Sequence, residues 1–75
     1  MTNADKMFEE LGYKKVIDSE LEIVYQYGNT VCITIAFYKI SKMVQSYDEK
    51  NKSLGLTMPE LKAINEKVKE LGWDD

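Results

Sequence analysis

Few side chains in this sequence are of the types that usually carry out chemistry. There is no histidine, Cys32 is the single cysteine, and all ten basic residues are lysines. Without histidine, the commonest general base and metal ligand is missing, and Cys32 has no imidazole to form its thiolate. Glu20 and Glu22 share one face of a strand, which is more typical of a solvated edge than of an acid–base pair. We therefore expect no catalytic residue, no metal ion and no cofactor, and a protein that is not an enzyme.

The sequence also lacks the short motifs that hold nucleotides or metals. It contains no P-loop, no dinucleotide-binding glycine fingerprint, no CxxC and no HExxH. One cysteine cannot form an internal disulfide and suits a reducing compartment. No apolar run follows the N-terminus as in a signal peptide, and none approaches the ~18 residues of a membrane span. These features predict a cytoplasmic protein without a membrane segment.

The charge distribution argues against a nucleic-acid partner. The net charge is −3, with 13 acidic residues dispersed along the chain. A nucleic-acid-binding domain usually has a basic surplus, and arginine, which reads guanine edges and clamps phosphates, is absent. Weak binding through lysines such as Lys39 and Lys42, with tyrosines stacking on bases, is the alternative function. Mimicry of DNA ranks last, because ten lysines balance the carboxylates.

Two helical segments lie at the ends of the chain, and residues 1–75 are one domain's length. The first helix is predicted from Asn3 to Leu11 and the second from Met58 to Leu71, with Thr57 and Glu60 at capping-box spacing. Each ends in Leu-Gly-aromatic, a pattern typical of a glycine cap whose next residue folds back on the helix. The sequence therefore predicts structural roles for the two aromatics. In the first helix the apolar face is Ala4, Met7, Phe8 and Leu11, and the aromatic is Tyr13. In the second helix the apolar face is Leu61, Ile64, Val68 and Leu71, and the aromatic is Trp73.

Between the helices, apolar residues recur with period two, which indicates strands at 14–18, 21–27, 31–38 and 43–48. A two-residue Gly28-Asn29 turn would place Ile23 opposite Thr34, an apolar side chain beside a polar one. An odd-numbered loop aligns the apolar sets instead, and we expect that register. The even turn around residues 39–42 then adds Val44 and Ser46 to the core face. Residues 48–55 read as a solvated loop.

The resulting fold class is α+β, a two-layer sandwich of helix, four-stranded antiparallel meander and helix. One face of the sheet, with Leu21, Ile23, Ile35 and Phe37, packs against the helices. The other face is unusually apolar for a sheet that meets water. We interpret it as a surface for a protein partner or a homodimer; the alternatives are one helix on each face, or coverage by the polar loop. The candidate binding residues are Val24, Cys32, Ala36, Tyr38, Met43 and Tyr47.

Several stretches of the chain are similar to small proteins encoded by phages and prophages of low-GC Gram-positive bacteria. The similar stretches are residues 7–13 (MFEELGY), 56–65 (LTMPELKAIN) and 70–73 (ELGW), with an outline likeness across residues 37–39 and 42–44. These stretches are helix caps and core positions. The resemblance implies an accessory role in a phage and supplies no activity or catalytic residue.

Overall fold

The computed structural model describes residues 2–28, 33–50, 52 and 55–73. The chain begins with helix α1, continues through a sheet of order β1-β2-β3-β4, and ends with helix α2. All three strand pairings are antiparallel, so the sheet is a meander. This confirms the predicted α+β fold. The elements are α1 (Asn3–Glu10), β1 (Tyr13–Asp18), β2 (Glu22–Tyr27), β3 (Ile33–Tyr38), β4 (Met43–Asp48) and α2 (Met58–Glu70).

Helix α1 has a cap at each end, and the glycine cap at its C-terminal end was predicted. The Thr2 side chain accepts a hydrogen bond from the Asp5 amide, which satisfies one of the amides that a helix start leaves open. Gly12 has a φ of +95° and its amide donates to the Glu9 carbonyl, 3.0 Å away. The Tyr13 ring then packs edge-on against Phe8, with the ring centroids 5.7 Å apart. Tyr13 is a core aromatic, as predicted.

Helix α2 is also capped at both ends by hydrogen bonds. Thr57 and Glu60 form a complete capping box at its start. At its end the Gly72 amide donates to Lys69 and the Trp73 amide to Val68, the two hydrogen bonds of a Schellman motif. The Trp73 ring lies 6.3 Å from the Phe37 ring and packs against the core. Sequence alone therefore located both helix ends to within one residue.

The register of the two central strands has the predicted parity. Ile23 lies opposite Phe37 and Tyr25 opposite Ile35, which requires an odd loop. Residues 29–32 of that loop, including Cys32, lie outside the described residues. Beyond β3, Val44 pairs with Phe37, which confirms the even turn.

Strand β1 carries a bulge that the sequence did not reveal. Lys15 pairs with Tyr25, but Ile17 pairs with Val24, so Val16 is an extra residue. Residues three apart in a regular strand point to opposite faces. With the extra residue, Lys15 and Asp18 point to the same face of the sheet, and the Lys15 ammonium lies 3.2 Å from the Asp18 carboxylate.

Both helices pack on the same face of the sheet. The buried cluster joins α1 and α2 to alternate residues of the strands, so the alternative with one helix on each face is wrong. Its members are Phe8, Tyr13, Ile23, Tyr25, Ile35, Phe37, Ala63 and Ile64. No helix in the described part of the chain is long and apolar enough to cross a bilayer. The chain is a small, compact α+β domain with a radius of gyration of 11.6 Å.

Two predicted core positions are wrong. Leu21 is 62% exposed because it belongs to the β1–β2 turn, where the Ser19 hydroxyl accepts hydrogen bonds from the amides of Leu21 and Glu22. On α2, Leu61 is exposed, whereas Lys67 is only 5% exposed. The buried side of α2 is therefore rotated toward Ala63 and Lys67, because α2 packs against α1 as well as the sheet.

Candidate functional site

The sheet face opposite the helices, here called the outer face, carries most of the predicted binding residues. Strand pairing sets Ile17, Val24, Ala36 and Gln45 in one row across the four strands. The neighbouring rows end in Met43 and Tyr47 on β4. Those rows are Glu22, Tyr38 and Met43, and Lys14, Gln26, Thr34 and Tyr47.

The centre of the outer face is buried and its margin is more exposed. Val24, Thr34 and Ala36 are buried although both helices lie on the opposite face. Short side chains in central strands sit between longer neighbours on the same face, which explains this burial. Val24 and Ala36 therefore offer little contact area themselves, whereas Met43, another candidate binding residue, is 55% exposed.

Two half-buried tyrosines lie beside this buried centre. The Tyr38 hydroxyl donates a 3.3 Å hydrogen bond to Gln45 Oε1. Partial burial and a hydrogen bond with Tyr47 raise the pKa of Tyr38. Both phenols are half-buried, so they present ring edges and hydroxyls rather than whole ring faces. Such a surface can contribute both apolar and hydrogen-bonding contacts to a partner.

The most exposed apolar side chains of the sheet gather at one end of it. Met43 begins β4 and is 55% exposed, and Ile40 in the preceding turn is 81% exposed. Leu21 lies beside them, since its carbonyl accepts a hydrogen bond from the Lys39 amide. Sequence reasoning placed Met43 in the candidate site but missed Ile40 and Leu21. Their position in short turns next to Tyr38 and Met43 was the available signal.

A second cluster, centred on Asp5, was not predicted. Asp5 Oδ1 accepts a 2.5 Å hydrogen bond from the Tyr25 hydroxyl and lies 3.5 Å from the Lys67 ammonium. Asp5 Oδ2 is 3.0 Å from the Lys15 ammonium. On the other side of Lys67, Glu70 Oε1 is 3.6 Å away, and Glu70 Oε2 accepts from the Ala4 amide. Asp5 thereby links both helices to β1 and β2.

The protonation states of this cluster suit a structural role. Burial works to raise the pKa of Asp5, but the Tyr25 hydrogen bond and the Lys15 and Lys67 ammoniums outweigh it and lower the pKa to about 2. Burial and the Asp5 carboxylate raise the pKa of Tyr25. The bond to Asp5 also raises the pKa of Lys15. Near neutral pH Asp5, Tyr25 and Lys15 therefore keep the charge states that their partners stabilise, which does not favour proton transfer.

Tyr13 and Glu60 make a similar link at the opposite end of the helix pair. The Tyr13 hydroxyl donates to Glu60 Oε2, while Glu60 Oε1 accepts from the amide and hydroxyl of Thr57. Burial opposes ionisation of Glu60, but the Thr57 amide and the Tyr13 hydroxyl lower its pKa overall. Burial and Glu60 raise the pKa of Tyr13. Glu60 thus caps α2 and ties its start to β1.

An open cavity of about 510 Å³ lies between α1 and β1. Its lining includes Asp5, Lys15 and Tyr25, which already bind one another. A carboxylate has room for about four hydrogen bonds, and Asp5 uses most of that capacity inside the protein. The remaining lining residues are Glu9, Tyr13 and Lys14. Within the described ranges, no three acidic or cysteine side chains are grouped closely enough to hold a metal ion.

Comparison of the chain with protein-family models, with curated proteins and with solved structures finds no match.

Proposed function

We propose that this protein is a non-enzymatic interaction module that binds another protein through the outer face and acts as a phage accessory factor. The observation that carries the proposal is the placement of both helices on one side of the sheet. That arrangement leaves the outer face with tyrosine and methionine side chains, types that are enriched at protein interfaces.

The topography of the outer face favours a partner that contacts its margin. Tyr38 and Tyr47 can supply aromatic area and hydroxyl groups, and Met43 can adapt its unbranched side chain to the partner. Ile40 and Leu21 extend the apolar area past the end of the sheet. The polar side chains Glu22 and Gln26 lie in the same rows as the two tyrosines and can add polar contacts beside them.

A matched pair of methionines provides the test. Met43 on the outer face is 55% exposed and Met58 at the start of α2 is 65% exposed. Met43→Glu places a charge in the proposed contact, whereas Met58→Glu makes the same change away from it. Partners captured from a host-cell lysate are quantified by mass spectrometry, and circular dichroism checks that both variants fold.

We expect Met43→Glu to lose a partner that the parent protein and Met58→Glu both retain. Equal capture by all three proteins would contradict binding through the outer face. So would a loss restricted to Met58→Glu, which would move the contact to the helical layer.

A further inference from the structure

The two edges of the sheet differ in how well they are protected from pairing with another strand. Strand β1 has the bulge at Val16 and carries Lys14 and Lys15, features that discourage edge pairing. Strand β4 pairs with β3 in unbroken register and has the sequence MVQSYD, without proline or lysine. The β4 edge is therefore the less protected one.

Two residues of β4 have their backbone amide and carbonyl groups directed toward this open edge. The Asp48 amide donates to the Lys52 carbonyl, which is outside the β3–β4 ladder. The backbone amide and carbonyl of Asp48 therefore point away from β3. Because the backbone hydrogen-bonding groups of successive strand residues alternate in direction, those of Val44 and Ser46 point away from β3 as well. Among the described residues, neither backbone has a hydrogen bond beyond the sheet. Their amides and carbonyls can bind another strand.

We propose that a second copy of this chain occupies the β4 edge, with the two β4 strands antiparallel about a two-fold axis at Gln45. In this register Val44 of one copy lies opposite Ser46 of the other, and both belong to the helix-covered face. Met43 of one copy lies opposite Tyr47 of the other on the outer face. A shift by one residue would set Val44 against Tyr47 and mix the two faces, which disfavours that register.

The charges flanking β4 complement each other in this arrangement. Lys39 and Lys42 precede the strand, while Asp48 and Glu49 end and follow it. The two-fold axis brings Lys42 of each copy toward Asp48 of the other. A parallel pairing would instead place Lys42 beside Lys42, with like charges adjacent. The charge pattern therefore selects the antiparallel, self-complementary pair.

The interface is small, so we expect the two copies to associate weakly. The Lys52 carbonyl already occupies the Asp48 amide, so the open ladder is restricted to the stretch from Val44 to Ser46. Stable complexes bury ~800 Å² on each partner, more than one short strand pair supplies. We expect a reversible dimer that forms as concentration rises. Pairing at the β4 edge is independent of the proposed partner binding, because it uses the backbone of the edge strand and is detected as a change in molecular mass.

Substitution of Gln45 tests the position of the axis, because the two Gln45 side chains lie opposite each other across it. Gln45→Lys or Gln45→Glu alone brings two like charges together, and we expect each to weaken dimerisation about fivefold or more. An equal mixture of the two variants pairs opposite charges and should dimerise more strongly than either alone. Gln26→Lys, an exposed position on an inner strand of the same face, is the matched control and should dimerise like the parent.

Sedimentation equilibrium over a concentration series measures each case. A parent protein that remains monomeric at the highest concentration would overturn the proposal. Equal weakening by Gln26→Lys would also overturn it, because that result indicates stacking of outer faces. Failure of the mixture to recover dimerisation would exclude a two-fold axis at Gln45.

Discussion

The Tyr25 hydroxyl in β2 donates a 2.5 Å hydrogen bond to Asp5 Oδ1 in α1. The same two elements are also joined through packing, since the Phe8 ring of α1 stacks on the Tyr25 ring with centroids 4.0 Å apart. The phenol therefore contributes its ring to the core and its hydroxyl to the polar cluster around Asp5. The hydrogen bond and the ring stacking together position α1 on the sheet.

The Asp5 cluster should make the protein sensitive to acid. Folding lowers the pKa of Asp5 from 3.8 to about 2, so its contribution is complete above the unfolded value and is lost as pH falls toward 2. A shift of this size corresponds to about 2 kcal/mol of folding free energy. Urea unfolding at a series of pH values between neutrality and pH 2 measures it. Asp5→Asn should remove this part of the pH dependence, and an unchanged slope in the variant would contradict the assignment.

Asp5 and Lys67 should show coupled contributions to stability. Asp5→Asn leaves the buried Lys67 ammonium with Glu70 as its remaining carboxylate, and we expect a loss of about 3 kcal/mol. Lys67→Met keeps most of the buried aliphatic volume and should cost less. The double variant should lose about 1 kcal/mol less than the sum of the single losses. Additive losses in denaturant unfolding would show that the pair does not interact.

The two helix-capping glycines should differ in their tolerance of alanine. Gly12 and Gly72 both have positive φ, +95° and +73°, so either alanine costs about 1 kcal/mol in backbone strain. A Cβ at Gly12 would also lie 2.6 Å from Tyr27 Cε2, whereas one at Gly72 meets nothing within 4 Å. Gly12→Ala should therefore have the lower melting temperature. Equal melting temperatures would mean that Tyr27 moves aside without cost.

Ser46 should be a site where a substitution stabilises the fold. Its Oγ is buried without a hydrogen-bond partner among the described residues, and an unsatisfied hydroxyl costs about 1 kcal/mol or more. Ser46→Ala removes that oxygen from the helix-covered face, so we expect a gain of up to about 1 kcal/mol in unfolding free energy. Ser41→Ala, in the exposed β3–β4 turn, is the control with no expected change. A destabilised Ser46→Ala would indicate a hydrogen bond made by Ser46.

Local sequence patterns predicted most of the fold because the interactions that define each element lie close together in the chain. The capping box at Thr57 and Glu60 spans a single turn, as do the Gly12 and Gly72 caps. Alternating apolar residues likewise specify which strand face is buried, and the parity of Ile23 with Phe37 followed from that rule alone. These features needed no knowledge of distant neighbours.

The candidate site was predicted less completely because exposure depends on packing between elements. Period two assigned Met43, Tyr38 and Tyr47 to a common face, but it could not show that longer neighbours would surround Val24 and Ala36. The exposure of Ile40 and Leu21 depends on where the turns end relative to the helices.

By itself, the sequence determined the order of the elements, the ends of the two helices and the register of β2, β3 and β4, since caps and apolar alternation are local patterns. Only the tertiary structure decided that both helices share one face and that Asp5 meets Tyr25, Lys15 and Lys67. Asp5 and Lys67 are 62 positions apart, and no local pattern encodes their approach. Their contact arises because α1 and α2 must both bury apolar stripes on one small sheet, which forces nearby charges to pair.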